Sequence, residues 1–214
     1  MADILDLVSE SEDPLISLED LQLYLRADCE DEAPLVAGIG VAAEGVVALL
    51  SGRVLRESVY TWTVEHNFPS GVFSPLYGYG LGRAFHATRP HSGGDALRVA
   101  KAPLLAITSV EYVDASGTTQ TLAPTEYRVI RGSQNFARLL PKTTWPLTSA
   151  QPYSLKITLS CGYTPESLPK TIRQAILMVA SDLYIHREAA SELSLKTTDA
   201  VRNLLATHGL VRVA

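Results

Sequence analysis

LLAITSVEYV, at Leu104–Val113, begins the stretch of sequence that decides the fold. Two similar runs follow at residues 126–130 (EYRVI) and 153–160 (YSLKITLS), and all three are rich in the β-branched and aromatic residues that strands favour. A Cys-Gly-Tyr-Thr-Pro break then leads to residues 168–188, whose apolar side chains recur at helical spacing. We predict a small β unit that leads into an amphipathic helix, and nothing in this stretch resembles a reactive site.

Two helices are predicted before this β unit. Ser17-Leu-Glu-Asp20 has the form of a capping box, which favours a helix from Ser17 to about residue 27. A second helix is predicted from Pro34, which suits a first-turn position, to Leu50, where Ser-Gly follows. Its apolar residues at helical spacing are Leu35, Ile39, Ala42, Val46 and Leu49.

Glycines are the unusual feature of this second helix. Gly38, Gly40 and Gly45 each cost a helix interior about 1 kcal/mol relative to alanine. Two interpretations fit the pattern. Either the glycines let another helix approach closely, in the same subunit or in a neighbour, or the helix is simply weak.

The remaining strand signals predict a local antiparallel sheet. Strands are expected at residues 58–65 and 97–100, and a hairpin is expected at 110–122 around a Gly-containing turn. Together with the runs above, these segments predict a sheet of five or six strands.

Two helices are predicted at the C-terminal end of the chain. The longer one covers residues 169–190, and its buried stripe consists of Ile172, Ala175, Ile176, Val179 and Leu183. The shorter one covers residues 198–208 and stops before Gly209. The predicted fold class is α+β. We expect a helical bundle of two N-terminal helices, a long C-terminal helix and a short last helix, with an inserted small antiparallel β-sheet lobe and a long Gly- and aromatic-rich loop.

That loop covers residues 67–95 and holds six glycines and three prolines. Loops of this length inside a compact domain are uncommon and often functional. Its candidates for contact with a neighbouring protein are Phe73, Tyr77, Tyr79 and Phe85. One interpretation is a surface that orders when a partner binds. The other is a long loop that folds back on its own domain.

The chain is predicted to hold one domain with two appendages. Residues 1–14 are acidic and are expected to be flexible, residues 15–208 form the domain, and residues 209–214 form a C-terminal tail. Within the domain, residues 15–55 and 167–208 are expected to be helical, and residues 56–163 are expected to form the β lobe.

Composition excludes several classes of protein. With 46% hydrophobic and 19% charged residues, the 214-residue chain is globular rather than disordered. No uninterrupted apolar run reaches the roughly 18 residues that span a bilayer, so no membrane association is expected. The acidic N-terminus does not have the pattern of a signal peptide. Two cysteines, Cys29 and Cys161, are most simply explained by a reducing compartment, although one disulfide stays open.

Charge is distributed unevenly along the chain. Residues 1–34 hold eleven of the 23 acids and one of the 18 bases, which leaves twelve acids and seventeen bases for the rest. The head therefore carries a net charge of −10 and the remainder +5, which together give the formal −5. Either the acidic head is a solvated surface, or it meets a basic surface on another copy or another protein.

The residues that usually carry chemistry do not converge in the sequence. His86 and His91 share the Gly-rich loop, and a metal-dependent hydrolase built on them is a remote alternative. Cys161 is expected to be a structural cysteine, because no basic neighbour or helix start is close in sequence. The bases are scattered, which disfavours sequence-specific nucleic-acid binding. We expect no catalytic residue, no metal and no cofactor.

Several short motifs stand in a consistent order. They are ISLEDLQLYLRAD at 16–28, LSGR at 50–53, APLLAITSVEYVDASG at 102–117, YRV at 127–129, ITLSCGY at 157–163, LPKTIRQAIL at 168–177, YIHRE at 184–188 and VRV at 211–213. In this order and spacing, the chain resembles the head–tail connector family (adaptor or head-completion proteins) of tailed bacteriophages and gene transfer agents. The resemblance covers about residues 15 to 213. The chain departs from shorter members of the family in its 67–95 loop.

The resemblance implies a virion structural protein of the neck, between capsid and tail. Such proteins form a homo-oligomeric ring, commonly of twelve subunits, beneath the portal protein. They extend the channel for the packaged DNA, with which contact is non-specific, and they present a platform for the next neck or tail protein. A stopper or tail-completion protein lower in the neck is the alternative.

The resemblance also implies where contacts lie. In similar proteins the C-terminal segment often engages the portal, and here the candidates are Arg202, Leu210, Val211, Arg212 and Val213. Candidates for the subunit interface are Glu19, Asp20, Gly38, Gly45, Arg173 and Arg187.

Overall fold

The protein combines a helical part with two antiparallel sheets. The computed structural model describes residues 3–27, 30–65, 68, 96–99, 101–132, 137–186 and 193–206, the last range without the side chains of residues 193–198. These residues contain four α-helices and eight strands. In chain order they are β1 (Ile4–Glu10), α1 (Leu18–Leu25), α2 (Ala33–Ser51), β2 (Ser58–Val64), β3 (Leu97–Arg98), β4 (Leu104–Val113), β5 (Thr119–Thr121), β6 (Tyr127–Arg131), β7 (Ala137–Pro141), β8 (Leu155–Cys161), α3 (Lys170–Ile185) and α4 (Leu193–Ala206). A single 3₁₀ turn at Glu30–Glu32 leads into α2.

The larger sheet has five strands in the order β1-β2-β8-β4-β5. β8 is its centre, and it pairs with β2 on one side and with β4 on the other. Trp62 on β2 lies opposite Ile157 on β8, and both are buried. Alternate residues of β8 face the core, as the two-residue period of a strand requires.

The smaller sheet has three strands in the order β3-β7-β6. Its central strand β7 buries Ala137 and Leu139 completely. These side chains join Val110 and Leu155 of the larger sheet in one apolar core. The two sheets therefore pack against each other around a shared interior.

The helices form a second apolar core. Ser17 begins α1, and its Oγ accepts a hydrogen bond from the Asp20 N–H at 3.2 Å, as the capping box predicts. The buried face of α2 packs on α1 and α3, and α4 closes the layer through Val201 and Leu205. On α3, four of the five predicted stripe residues are buried, and Leu183 is exposed.

Two short segments join the helical part to the sheets. The Tyr163 N–H donates to the Leu55 carbonyl at 2.7 Å, and Arg53 Nη1 donates to the Tyr163 hydroxyl at 2.6 Å. Between them, Arg56 and Tyr163 form an isolated parallel bridge. Gly162 sits at this crossing with φ of +119°, a conformation that favours glycine.

The predicted architecture is wrong in its main features. We expected a bundle with a long C-terminal helix around one small sheet. The longest helix among the described residues is instead α2 near the N-terminus, with 19 residues against 16 for α3. In the described residues the β part holds eight strands in two sheets rather than five or six in one. The helix α3 is shorter than predicted because the backbone leaves the helical conformation at His186, with φ of −102° and ψ of 67°.

The N-terminal segment also differs from its prediction. We expected residues 1–14 to be loosely ordered, whereas Ile4–Glu10 forms the edge strand β1. The Asp3 carboxylate anchors its start by accepting from Trp62 Nε1 at 3.1 Å and from the Glu65 N–H at 2.9 Å. Because most β1 side chains are exposed, main-chain pairing with β2 holds this strand in place.

Candidate subunit interface

The helix α2 exposes its apolar residues and buries its one charge, which is the reverse of an ordinary surface helix. Nine of its residues are exposed, and all nine are apolar or glycine. We call them the α2 outer face: Pro34, Leu35, Ala37, Gly38, Val41, Ala42, Gly45, Val46 and Leu49. At about 100° per residue they cover roughly half of the helix circumference. The one charged residue of α2, Glu44, is only 4% exposed and lies on the inner side.

Glu44 is held inward by two strong contacts. Its Oε1 accepts from the Leu15 N–H at 2.9 Å, and its Oε2 lies 2.6 Å from Arg56 Nε. Both charges are largely withdrawn from water, and a buried carboxylate of this kind needs such partners. The pair ties α2 to the segment before α1 and to the approach to β2. It thereby fixes which side of α2 faces outward.

The large side chains of the α2 outer face are well exposed. Leu49 is 83% and Val41 52% exposed, and Leu35 and Val46 are exposed as well. The sequence periodicity grouped Leu35, Ala42, Val46 and Leu49 with Ile39, and of the five only Ile39 packs against the core. The fully buried apolar residues of α2 are others, among them Val36, Ala43 and Val47. Monomeric proteins rarely leave a large contiguous apolar patch uncovered, so this face indicates a contact surface.

The three glycines of α2 do not share one role, and only one of them is explained by close helix packing within the subunit. At Gly40 an added Cβ would lie 2.6 Å from Leu21 Cδ1, so this glycine allows close packing of α1 on α2 within the subunit. At Gly38 and Gly45 an added Cβ would meet nothing within 4 Å. Those two glycines serve no packing inside the described part of the chain.

The same helix satisfies a simple test for a membrane span. Residues Glu30–Ser51 are long and apolar enough to cross a bilayer by length and composition, and 28% of an apolar 18-residue window within them is buried. The sequence holds no uninterrupted apolar run of this length because Glu44 breaks it. Helices in the core of a folded domain can be equally long and apolar. The inner side of α2 has the contacts of such a helix, because it packs on α1 and α3 and holds Glu44 in an ion pair.

Two predicted interface residues pair within the subunit. Arg173 Nη2 on α3 lies 2.6 Å from Asp20 Oδ2 on α1. Hydrogen bonds from Ser17 and from Arg173 lower the pKa of the Asp20 carboxyl. Glu19 is exposed, and Arg187 lies outside the described residues. Partly exposed pairs contribute little, about 0–1 kcal/mol, so this one mainly orients α1 on α3.

The other predicted contact residues are mostly outside the described part of the chain. Arg202 lies on the exposed side of α4, 3.9 Å from Asp199 Oδ1. The remaining portal candidates (Leu210, Val211, Arg212 and Val213) and the loop candidates (Phe73, Tyr77, Tyr79 and Phe85) lie outside it. His86 and His91, on which a hydrolase would depend, lie outside it as well.

The described residues hold no group that could bind a metal ion through three His, Cys, Asp or Glu side chains.

Cys161 is completely buried at the end of β8. Burial raises the pKa of its thiol to about 12, although the positive charge of Lys101 acts in the opposite direction. A thiol of this kind is a packing residue rather than a nucleophile.

We expect Cys161 to resist modification in the folded protein. At pH 8 a thiol with a pKa near 12 is ionised in only about one molecule in ten thousand. In a Cys29→Ser variant, a disulfide reagent such as DTNB should therefore label no thiol in the native state and one thiol after denaturation. Rapid native labelling would show that Cys161 is accessible and would contradict its placement.

Comparison with known proteins gives a match only at the level of structure. No family model matches the sequence, and no curated protein does either. A chain from the virion of a native gene transfer agent (GTA) particle is similar with a TM-score of 0.66 at 18% identity, over 99% of this chain and 97% of that one. A chain from the neck of an empty GTA particle, computed with C6 symmetry, gives 0.65 at 16% identity over 99% and 97%. A third, from the neck of a native GTA particle computed with C12 symmetry, gives 0.55 at 17% identity over 98% and 97%.

The likeness confirms, at the level of the fold, the resemblance read from the sequence motifs. It extends over nearly the whole of both chains, so the helical part and both sheets are included. We did not predict that the large residues at the centre of the α2 outer face lie on the surface. The run 33–50 has one charge, at Glu44, and apolar residues on every side, so it indicates an apolar surface but not which side of the helix carries it.

Proposed function

We propose that this chain is a structural protein of a particle neck, in a tailed bacteriophage or gene transfer agent. In this role it is a head–tail adaptor that forms a ring beneath the portal and extends the channel for DNA. The observation that supports the proposal is the shared fold with gene transfer agent chains, over 97% or more of both partners. The proposed role requires surfaces rather than a reactive pocket.

A ring is the assembly that these surfaces favour. Two of the similar chains come from necks computed with six-fold and twelve-fold symmetry, and we propose twelve copies here. A cyclic ring joins two different, complementary surfaces of each subunit. The acidic head, the net-basic remainder and the uncharged α2 outer face provide distinct surfaces. Glu19, Gly38, Gly45 and Arg187 stay candidates for contact between subunits.

We place the portal contact at the C-terminal end of the chain, in residues 198–214. Arg202 on α4 is exposed and only loosely paired with Asp199, which leaves its guanidinium accessible to a partner. The apolar tail that follows, with Leu210, Val211, Arg212 and Val213, suits addition to a neighbouring surface. The opposite end of the ring would receive the next neck or tail component.

Removing residues 209–214 tests this placement. The truncated protein should keep its thermal unfolding midpoint, because Val201 and Leu205, which anchor α4 in the core, are retained. Binding to purified portal should fall by about tenfold or more, since few residues usually dominate an interface. Binding equal to that of the full chain would contradict the role of the tail.

Cross-linking in assembled particles separates the adaptor from the alternative position lower in the neck. An adaptor should cross-link to the portal. A stopper or tail-completion protein should cross-link to neck or tail proteins without reaching the portal.

A further inference from the structure

We infer that the α2 outer face is covered by a second copy of this chain. The inference rests on the proposed ring and adds the surface through which the ring closes. A helix of 19 residues is about 28 Å long and about 10 Å wide, so the face offers roughly 300 Å² in projection. A standard interface buries about 800 Å² on each partner, so the face can form the centre of such an interface but not all of it.

The chemistry of the face selects an apolar protein partner. Its nine residues carry no charge and no polar side chain. DNA would require lysine or arginine to neutralise phosphates, and charged partners would require complementary charges. The central parts of subunit interfaces are depleted in charge and rich in apolar side chains, as this face is. In a ring with cyclic symmetry, the lateral neighbour that meets such a face is another copy of the same chain.

The centre of the face is shaped to receive a protruding side chain. Gly38, Ala42, Gly45 and Leu49 follow one another at spacings of four, three and four residues, so they form one stripe along the helix. The two glycines cost the isolated helix about 1 kcal/mol each. Within the described part of the subunit no contact compensates for that loss, because a Cβ at either position would meet nothing within 4 Å. Close approach of a neighbouring subunit would explain both.

Glu44 provides the second, independent observation. Within an apolar helix, a single charge would normally face water. Here Arg56 and the Leu15 N–H hold it inside, which leaves the outward side entirely apolar. The arrangement stabilises an apolar surface where an ordinary monomer would place a charge.

Two leucines of nearly equal exposure provide a matched test of the α2 outer face. Leu49, in the α2 outer face, is 83% exposed, and Leu147, in the segment between β7 and β8, is 85% exposed. Neither Leu49→Lys nor Leu147→Lys should disturb the fold, which circular dichroism and thermal unfolding check. Leu49→Lys should weaken self-association by about a hundredfold or more, because a buried lysine without a partner is costly. Leu147→Lys should assemble like the unmodified chain. Val41→Lys is a second variant on the face and should behave like Leu49→Lys.

Assembly is measured by sedimentation velocity and by cross-linking of the full chain, alone and with purified portal. Equal assembly of Leu49→Lys, Val41→Lys and the unmodified chain would overturn this inference and leave the proposed ring intact. Failure of the unmodified chain to associate under either condition would contradict the proposed function as well. Flotation of the unmodified chain with phosphatidylcholine vesicles, lost in Leu49→Lys, would assign the face to a membrane and overturn the inference.

Discussion

Gly162→Ala is expected to destabilise the protein severely. Gly162 has φ of +119°, and a Cβ there would lie 2.2 Å from the Arg56 carbonyl oxygen. The obstacle is backbone, and it cannot move, because hydrogen bonds fix both sides of the crossing. The Gly162 N–H donates to the Pro103 carbonyl at 3.0 Å, and the Tyr163 N–H donates to the Leu55 carbonyl at 2.7 Å. We expect a loss of about 4 kcal/mol or more, which is much of the stability of a typical domain.

Gly117→Ala is the matched control for this substitution. Gly117 also has a positive φ, of +86°, but an added Cβ would meet nothing within 4 Å. The control should therefore lose only the stability that an alanine costs at a positive φ, about 1–2 kcal/mol. Urea unfolding followed by circular dichroism measures both variants. Similar midpoints for the two would show that the close approach of Gly162 to Arg56 is not what requires glycine.

Glu44→Ala is expected to cost about 3–5 kcal/mol, because it breaks a buried ion pair and leaves its partners unsatisfied. The Leu15 N–H would lose its acceptor, and the Arg56 guanidinium would keep a buried charge opposite an empty site. Glu44→Gln retains an oxygen for Leu15 and should lose less. Combining Glu44→Leu with Arg56→Met should recover the part of the loss that comes from the uncompensated charge, whereas the Leu15 N–H would still lack its acceptor.

A double-mutant cycle on Glu44 and Arg56 measures the interaction. Each variant's loss in free energy of unfolding is taken relative to the unmodified chain. The losses of the two single alanine variants should sum to clearly more than the loss of the double variant. Strict additivity would mean that the 2.6 Å contact between Glu44 Oε2 and Arg56 Nε contributes nothing, and that another feature orients α2.

Helices and strands whose signals lie in neighbouring residues could be predicted from the sequence. The strand at Leu104–Val113 has the predicted bounds, and α1 follows its Ser17 cap. The helix α2 ends where Ser-Gly indicated, because Gly52 adopts the left-handed conformation as its C-cap. These signals depend on neighbouring residues, which is why a single sequence is sufficient for them.

The strands that were missed depend on distant partners. β1 buries almost none of its side chains, so it shows no clear alternation, and it forms because β2, about fifty residues later, offers a free edge. β7 pairs with β6 and β3, and its strand pattern is short. Without these strands the two-sheet architecture could not be recognised, and the helical part appeared larger than it is.

The orientation of α2 could not be read from periodicity. A helix that is apolar on all sides has no preferred face in its sequence, so the stripe through Leu35 and Leu49 was no better a candidate for burial than the one through Val36 and Val47. Glu44 decides the orientation through Arg56, its partner in the folded chain. In the same way, Asp20 and Arg173 were recognised as charged candidates, but their pairing across 153 positions is a property of the fold.

An electron cryomicroscopy reconstruction of the neck, from the particle that carries this chain, would show directly whether the chain forms a ring there. We expect a closed ring of copies of the chain beneath the portal, with α2 at the contact between neighbouring copies. A particle whose neck lacks the chain, or holds it as isolated copies with α2 facing solvent, would contradict this expectation.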